Sequence, residues 1–302
     1  MSTDEQLRGA GLDPAAIATL VRAALAEDLG EAGDLTSLST VPADVVTTVR
    51  YVARAPGVAA GLPVLAAIAE VGIGAAASFE PRVADGARLD PGQPLADLTA
   101  PARDVLALER TSLNLLGHLC GVATTTRAWV DAVAGTRAQI RDTRKTLPLL
   151  RALDKYAVRC GGGVNHRAGL HDAVLIKDNH VAAAGGVGPA LDAVLRRYGP
   201  GSPGGQGRVV VQVEVDDLDQ LDEALDHGAP QVLLDNFDLD ALSEAVGRVR
   251  SMAPQVLLEA SGGLTLNRAA AVAATGVDFL AVGALTHSAP ALDIGLDTVS
   301  VL

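Results

Sequence analysis

Six short apolar runs in the second half of the chain each end in a polar, charged or glycine-rich cluster. They are Ala138–Lys145, Ala173–His180, Val209–Val215, Gln231–Asn236, Gln255–Gly263 and Asp278–Ala284. Their length and their Val, Ile and Leu content suit strands, and segments with helical periodicity lie between them. That alternation predicts successive βα units in a parallel sheet or barrel. In such folds the active site is built from the residues just beyond the C-terminal end of each strand. The last four strand centres lie 21 to 24 residues apart, close to minimal βα units. Six strands are too few for an eight-stranded barrel, so the barrel is open or contains an element that the pattern does not show.

The first third of the chain reads differently. Residues 14–29 form an amphipathic helix with Ile17, Leu20, Val21 and Leu25 on one face. Val45–Arg54 is a strand, Pro63–Val71 a helix, and Phe79–Val83 and Pro94–Leu98 are short strands around Asp85-Gly86 and Pro91-Gly92 turns. This is a small α+β domain ending near Pro101. A long helix starts at Asp104, with Leu108, Leu115, Leu119 and Val122 on one stripe. Arg110, Asn114, Gly117 and Gly121 lie on another, where the glycines admit a close neighbour toward which Arg110 would point. The helix after Lys145 is expected to carry Pro148 in its first turn and to stop at Gly161-Gly162-Gly163. Gly199–Gly207 is expected to be a loop, and Asp293–Leu302, too short for another βα unit, to return to the first domain.

Composition narrows the function. A hydrophobic fraction of 49% supports a full core, and a net charge of −12 argues against a nucleic-acid binder. The most apolar window, near residues 57–79, contains Pro63, Glu70 and several glycines, which suits a domain element and not a membrane span. No signal peptide is evident, and Cys120 and Cys160 have no metal-ligand spacing, so a reducing, cytoplasmic location is expected. Lys145, Lys155 and Lys177 are the only lysines among 24 basic residues, and two of them sit just after strands. A compact ammonium does what a guanidinium cannot. The run Asp85–Leu95 has the look of a biotinyl or lipoyl carrier, but no lysine precedes Lys145 to be modified.

The strand-end clusters specify a ligand. Thr143-Arg144-Lys145, Asn165-His166-Arg167 and Lys177 bring cations and a histidine to one mouth, which is tolerable only if an anion neutralises them. The bland alternative is a set of surface cations paired with Asp142, Asp172 and Asp178. Glu214 and Asp235 end successive strands and suit sugar hydroxyls, magnesium or a developing cation. Ser261-Gly262-Gly263 and Val282-Gly283-Ala284 come after the last two strands, where barrel loops commonly hold phosphate through backbone N–H groups. A Schiff-base lyase or aldolase using Lys177 and a non-catalytic phosphate-ligand sensor are readings from other classes.

The runs Glu109–Asn114, Asp142–Thr146, Gly161–Arg167, Leu175–His180, Glu214-Val215, Leu234–Asn236, Glu259–Gly263 and Leu285–Ser288 resemble quinolinate phosphoribosyltransferase, with further likeness at Glu27-Asp28 and Gly33–Thr36. Cys120 departs from the serine usual in that family. The resemblance implies an α/β chain with an incomplete (open) α/β barrel over residues 116–287. An N-terminal α/β sandwich over 1–115 would be joined by the tail 288–302. It implies joining of quinolinate to phosphoribosyl pyrophosphate with decarboxylation, giving nicotinate mononucleotide, pyrophosphate and carbon dioxide. A paralogue with another substrate, such as a nicotinate phosphoribosyltransferase, would need fewer cations. Carried over by motif, Arg144, Lys145, His166, Arg167 and Lys177 would hold quinolinate's two carboxylates, with Thr143 and Arg110 also binding substrate. Glu214 and Asp235 would face the ribose and its magnesium, directly or through water, and Ser261–Gly263 and Val282–Ala284 the 5′-phosphate. Lys145, Lys177, Glu214 and Asp235 would form the catalytic set. A homodimer, or a larger assembly of dimers, would donate Arg110 across its interface.

Overall fold

The computed structural model describes residues 1–199 and 209–301, so most of the loop expected at 199–207 lies outside the described residues. The chain begins with helices α1 (Thr3–Gly9), α2 (Pro14–Leu29) and α3 (Leu35–Thr40). Next are strands β1 (Val46–Ala53) and β2 (Gly57–Val58), helix α4 (Leu62–Gly72), and strands β3 (Ser78–Pro81), β4 (Arg88–Leu89) and β5 (Pro94–Pro101). Helix α5 (Ala102–Ala132) leads to β6 (Gln139–Arg141), α6 (Arg151–Cys160), β7 (Ala173–Ile176), α7 (Asp178–Ala184) and α8 (Val187–Tyr198). Then come β8 (Val210–Val215), α9 (Leu218–Asp226), β9 (Gln231–Asp235), α10 (Leu239–Met252) and β10 (Leu257–Ser261). The last elements are α11 (Ala269–Ala274), β11 (Phe279–Ala281), α12 (Ala284–His287) and β12 (Ile294–Val301). Aspartates start several helices: Asp13, Asp34, Asp217 and Asp238 each accept a backbone N–H at the N-cap.

Two compact units result. The first comprises Met1–Arg127, Thr146–Gly162 and Leu285–Leu302. Its main sheet has the order β12-β1-β5-β3, antiparallel throughout. The tail returns here, with β12 paired to β1 from Ala53 opposite Ile294 to Thr47 opposite Val301. Tyr51, Leu65, Leu95, Leu98 and Leu116 centre the core. Across β1 and β5, Asp97 sits opposite Arg50, which grips it through Nε at 2.7 Å and Nη2 at 2.8 Å, while Arg82 Nη2 adds 2.6 Å. Hydrogen bonds from Arg50 foremost hold the Asp97 carboxyl down at about 2. Cys120 fits the place of a serine, since its buried Sγ accepts from Ala60 N and donates to Ala60 O.

One expectation is corrected in this unit. Pro148 does not lie in a helical first turn: residues 148–150 form a turn and α6 starts at Arg151. Leu149 has φ 66°, outside the helical region, and the residue before a proline disfavours helical backbone. The close neighbour expected at the glycine face of α5 is present, and it is the chain's own later segment. A Cβ on Gly121 would lie 2.1 Å from Pro290 O, one on Gly117 would lie 3.0 Å from Leu292 O, and Leu292 N donates to Gly117 O.

The second unit comprises Ala128–Lys145 and Gly163–Ala284. Its six strands are parallel and ordered β6-β11-β10-β9-β8-β7. The order is cyclic in sequence and interrupted between β6 and β7, so the structure has an open barrel. One isolated parallel bridge, Arg141 with Val164, stands at the open side as the remnant of a further strand. The strands are mostly apolar, as expected of a parallel sheet covered by helices, and carry Arg141, Gln212, Gln231 and Glu259 among their polar residues.

Glycine positions separate close packing from open surface. Gly121→Ala is expected to lower stability by about 1–3 kcal/mol, because a backbone carbonyl must move. Gly247→Ala in α10, with nothing near its Cβ position, should raise stability by up to ~1 kcal/mol. Thermal melts of the two variants against the parent chain check both signs.

Candidate active site

The barrel unit aims its polar side chains from strand ends. On β8, Gln212 and Glu214 are two apart and share one face, as do Glu259 and Ser261 on β10. After β6, Thr143 Oγ1 accepts from Lys145 N at 3.0 Å and shapes the Thr143–Lys145 turn. Asp142 is fully buried and accepts from Asn165 Nδ2 at 2.6 Å and from His166 N at 2.7 Å. It thus ties the segment carrying His166 and Arg167 to the end of β6. Lys177 caps α7, and His180 Nδ1 accepts its backbone N–H at 3.0 Å. Lys177 Nζ lies 2.5 Å from Glu214 Oε2. A Schiff-base enzyme needs a neutral amine, whereas this lysine is in an ion pair.

Asp235 ends β9 and is held by the next residue. Asn236 adopts φ 57°, and its Nδ2 donates to Asp235 Oδ2 at 2.7 Å while its N donates to Ser261 O at 2.9 Å. A Cβ on Gly262 would lie 2.1 Å from Asn236 Oδ1, and Gly262 has φ 86°, so glycine is needed there for both space and backbone. The loops after β9 and β10 are therefore built against each other.

A cavity of about 380 Å³ collects these groups. It is lined by Thr143, Arg144 and Lys145 after β6, by His166 and Arg167, by Lys177 after β7, and by Glu214, Asp235 and Ser261. Leu175, Leu233, Glu259 and Ala281 complete the wall. Gly262 and Gly263 come after Ser261 at the end of β10, and Val282, Gly283 and Ala284 after Ala281, but none of the five is a wall residue. Arg110 belongs to the first unit and is exposed on α5. A second cavity, about 550 Å³, opens at the N-terminal ends of β7 to β10 and shares His166 and Arg167 with the first. Its remaining wall mixes Val, Leu and Ala with Asp172 and neutral polar groups, and Arg141 is its one further cation among the described residues.

The electrostatics are unbalanced in one direction. The Nε atoms of Arg144 and Arg167 are buried without a hydrogen-bond partner. Burial first, and then the charge of Arg144, push the pKa of Arg167 below its ordinary value. Asp142 is engaged by Asn165 and by His166 N, and Asp172 accepts from Ala168 N and Gly169 N. Among the described residues no three His, Cys, Asp or Glu side chains group to hold a metal ion.

Two buried polar residues and one half-buried arginine were not anticipated as part of the site. Gln212, Arg141 and Glu259 line or underlie it, and Glu259 is fully buried. The signal for Gln212 was present: it is the polar residue two before Glu214 in an otherwise apolar strand.

Known proteins resemble this chain in both sequence and fold. Residues 34–120 match the model of the quinolinate phosphoribosyl transferase N-terminal domain, and residues 122–297 that of its C-terminal domain. The nicotinate-nucleotide pyrophosphorylase [carboxylating] of Mycobacterium leprae is 55% identical over 92% of this chain and 95% of its own length. A probable nicotinate-nucleotide pyrophosphorylase [carboxylating] of Bacillus subtilis is 39% identical over 90% of this chain and 89% of its own. The structure of the nicotinate-nucleotide pyrophosphorylase of Francisella tularensis superposes with a TM-score of 0.85 at 34% identity, covering 95% of this chain and 97% of that one. With both halves of the sequence and the open barrel matched, the chain belongs to the quinolinate phosphoribosyltransferase family.

Proposed function

We infer that this chain transfers a phosphoribosyl group from phosphoribosyl pyrophosphate to quinolinate with decarboxylation. The products are nicotinate mononucleotide, pyrophosphate and carbon dioxide, in the de novo route to NAD. The observation that carries it for this chain is the pair Arg144 and Arg167, crowded together with buried donors unpaired. A dianionic substrate supplies the missing acceptors. Arg144, Lys145, Arg167 and Lys177 hold its two carboxylates, with Thr143 and His166 in the same wall. The pyridine nitrogen then attacks the anomeric carbon as pyrophosphate leaves. Positioning and charge supply most of the acceleration. Glu214 and Asp235 stabilise the cationic character that develops on the ribose. Ser261–Gly263 and Val282–Ala284 take the 5′-phosphate through backbone N–H groups. The pyridinium formed is an electron sink for loss of the adjacent carboxylate.

Magnesium carried with phosphoribosyl pyrophosphate fits Glu214 and Asp235. One or two carboxylates suit an ion that keeps several waters and takes its other ligands from substrate phosphates. When bound it neutralises charge on the departing pyrophosphate. Arg110 is proposed to enter the site of a second copy, a reading supported by its exposure on α5 and by the family's motif. A cytoplasmic location completes the proposal, supported by a cysteine content of two thiols. Among the described residues no single helix is long and apolar enough to cross a membrane.

Release of carbon dioxide from quinolinate should require phosphoribosyl pyrophosphate, and release without it would refute the order of steps. Arg144→Ala should weaken quinolinate binding by about 1.5–3 kcal/mol and phosphoribosyl pyrophosphate binding much less. Equal losses in calorimetry would place Arg144 elsewhere. Asp235→Asn keeps shape and removes charge, so turnover should fall at nearly constant quinolinate affinity. Unchanged turnover at saturating magnesium and phosphoribosyl pyrophosphate would remove Asp235 from the chemistry. Arg110→Ala and Lys177→Ala should each be nearly inactive alone. Mixed, they should recover up to about a quarter of parent activity per subunit, because half of randomly exchanged dimers carry one intact site of two. Absence of recovery despite demonstrated exchange would assign Arg110 to its own subunit or to no site.

A further inference from the structure

A chain of hydrogen bonds runs through the barrel interior beneath the cations. Arg141 Nη1 donates to Glu259 Oε2 at 2.6 Å, and Gln212 Nε2 donates to the same oxygen at 3.1 Å. Gln212 Oε1 lies 2.9 Å from His166 Nε2, and Arg167 N donates to His166 Nδ1 at 2.7 Å. Donor and acceptor roles are fixed link by link. A carboxylate paired with an arginine only accepts, so the amide of Gln212 must turn its NH2 toward Glu259. Its oxygen therefore faces His166, and Nε2 of that ring must carry the proton. Nδ1 is then the acceptor that the backbone N–H of Arg167 requires. A proton on Nδ1 instead would set two donors against each other in front of Arg167.

Resting on the assignment of quinolinate to this site, we infer that Gln212 is a positioning residue for the reaction. Through the His166 tautomer it fixes the backbone of Arg167, and with it the guanidinium that receives a substrate carboxylate. Gln212 is 2% exposed, and neither it nor Glu259 needs to touch substrate for this role. Glu259 is the anchor: it ties β6 to β8 from β10, and its Oε1 is buried without a hydrogen-bond partner 3.7 Å from His166 Nε2. The other charged groups around the ring are Asp142, which accepts from His166 N, Arg141 through Glu259, and Arg167 with its neighbour Arg144. A histidine with both ring nitrogens committed to the protein orients a neighbour; it does not present a free N–H to the cavity.

Gln212→Met keeps the side-chain volume and removes both hydrogen bonds. KM for quinolinate should rise by about tenfold, the order set by one net hydrogen bond, with KM for phosphoribosyl pyrophosphate within about twofold and the melting temperature near that of the parent. Gln212→Glu restores the acceptor toward His166 and, while a proton is shared with Glu259, the donor as well. Its quinolinate KM should be close to the parent's while the pair keeps a proton and rise with pH as that proton is lost, a dependence that Gln212→Met lacks. In the unaltered protein, 15N shifts of His166 should report a neutral ring protonated at Nε2. The Nδ1-protonated tautomer would overturn the inference even if neither variant folds, and so would an unchanged quinolinate KM in folded Gln212→Met. If the unaltered chain releases no carbon dioxide from quinolinate with phosphoribosyl pyrophosphate, the proposed function fails instead, and the tautomer measurement still decides the positioning.

Discussion

Arg144 and Arg167 crowd each other at the mouth of the barrel, and much of the barrel unit exists to hold them there. Burial and the neighbouring charge both oppose the ionised form of Arg167. Such a pair persists only where the backbone carrying it is over-determined. Asp142 pins the His166 segment through a side-chain amide and a backbone N–H. The Gln212 and Glu259 relay pins the His166 ring from beneath. The nearby acids offset this only in part: Glu214 pairs with Lys177, and Asp172, which holds its own loop through Ala168 N and Gly169 N, opposes the downward shift of Arg167 without reversing it. Under the proposed function, stability given up at the mouth would become affinity for a dianion.

The open barrel serves the same end. A closed ring of eight strands would put paired backbone where Asn165, His166 and Arg167 now stand. Here the segment after the bridge at Val164 is shaped by Asp142, which accepts from Asn165 Nδ2 and from His166 N. The interior left between β6 and β7 admits long polar side chains. Arg141, stacked at 3.6 Å over the Phe279 ring and paired with Glu259, fills part of it.

Much of this was legible in the sequence, and for a definite reason. Strands buried on both faces are nearly uniformly apolar, so their boundaries and the polar residues that end them stand out. Lys177 is next to such a run, Glu214 and Asp235 are the last polar residues of theirs, Arg144 and Lys145 come within four residues of the end of β6, and all five line one cavity. Single-residue geometry was less readable. Leu149 takes a left-handed conformation that its side chain does not advertise, and this moved the start of α6 past Pro148.

The sequence by itself determined the alternation of strands and helices, the set of charges delivered to the strand ends and, by its motifs, the family. Local pattern is enough for these, because period, turn chemistry and strand ends are properties of neighbours along the chain. Tertiary structure decided which distant groups meet. The glycines of α5 proved to receive Pro290–Leu292, a contact across some 170 residues that no periodicity encodes. Likewise Glu259 reads as one acid in a strand until β6, β8 and β10 are laid side by side, when it becomes the common acceptor of Arg141 and Gln212. Register between strands sets that meeting, and register is a property of the folded sheet.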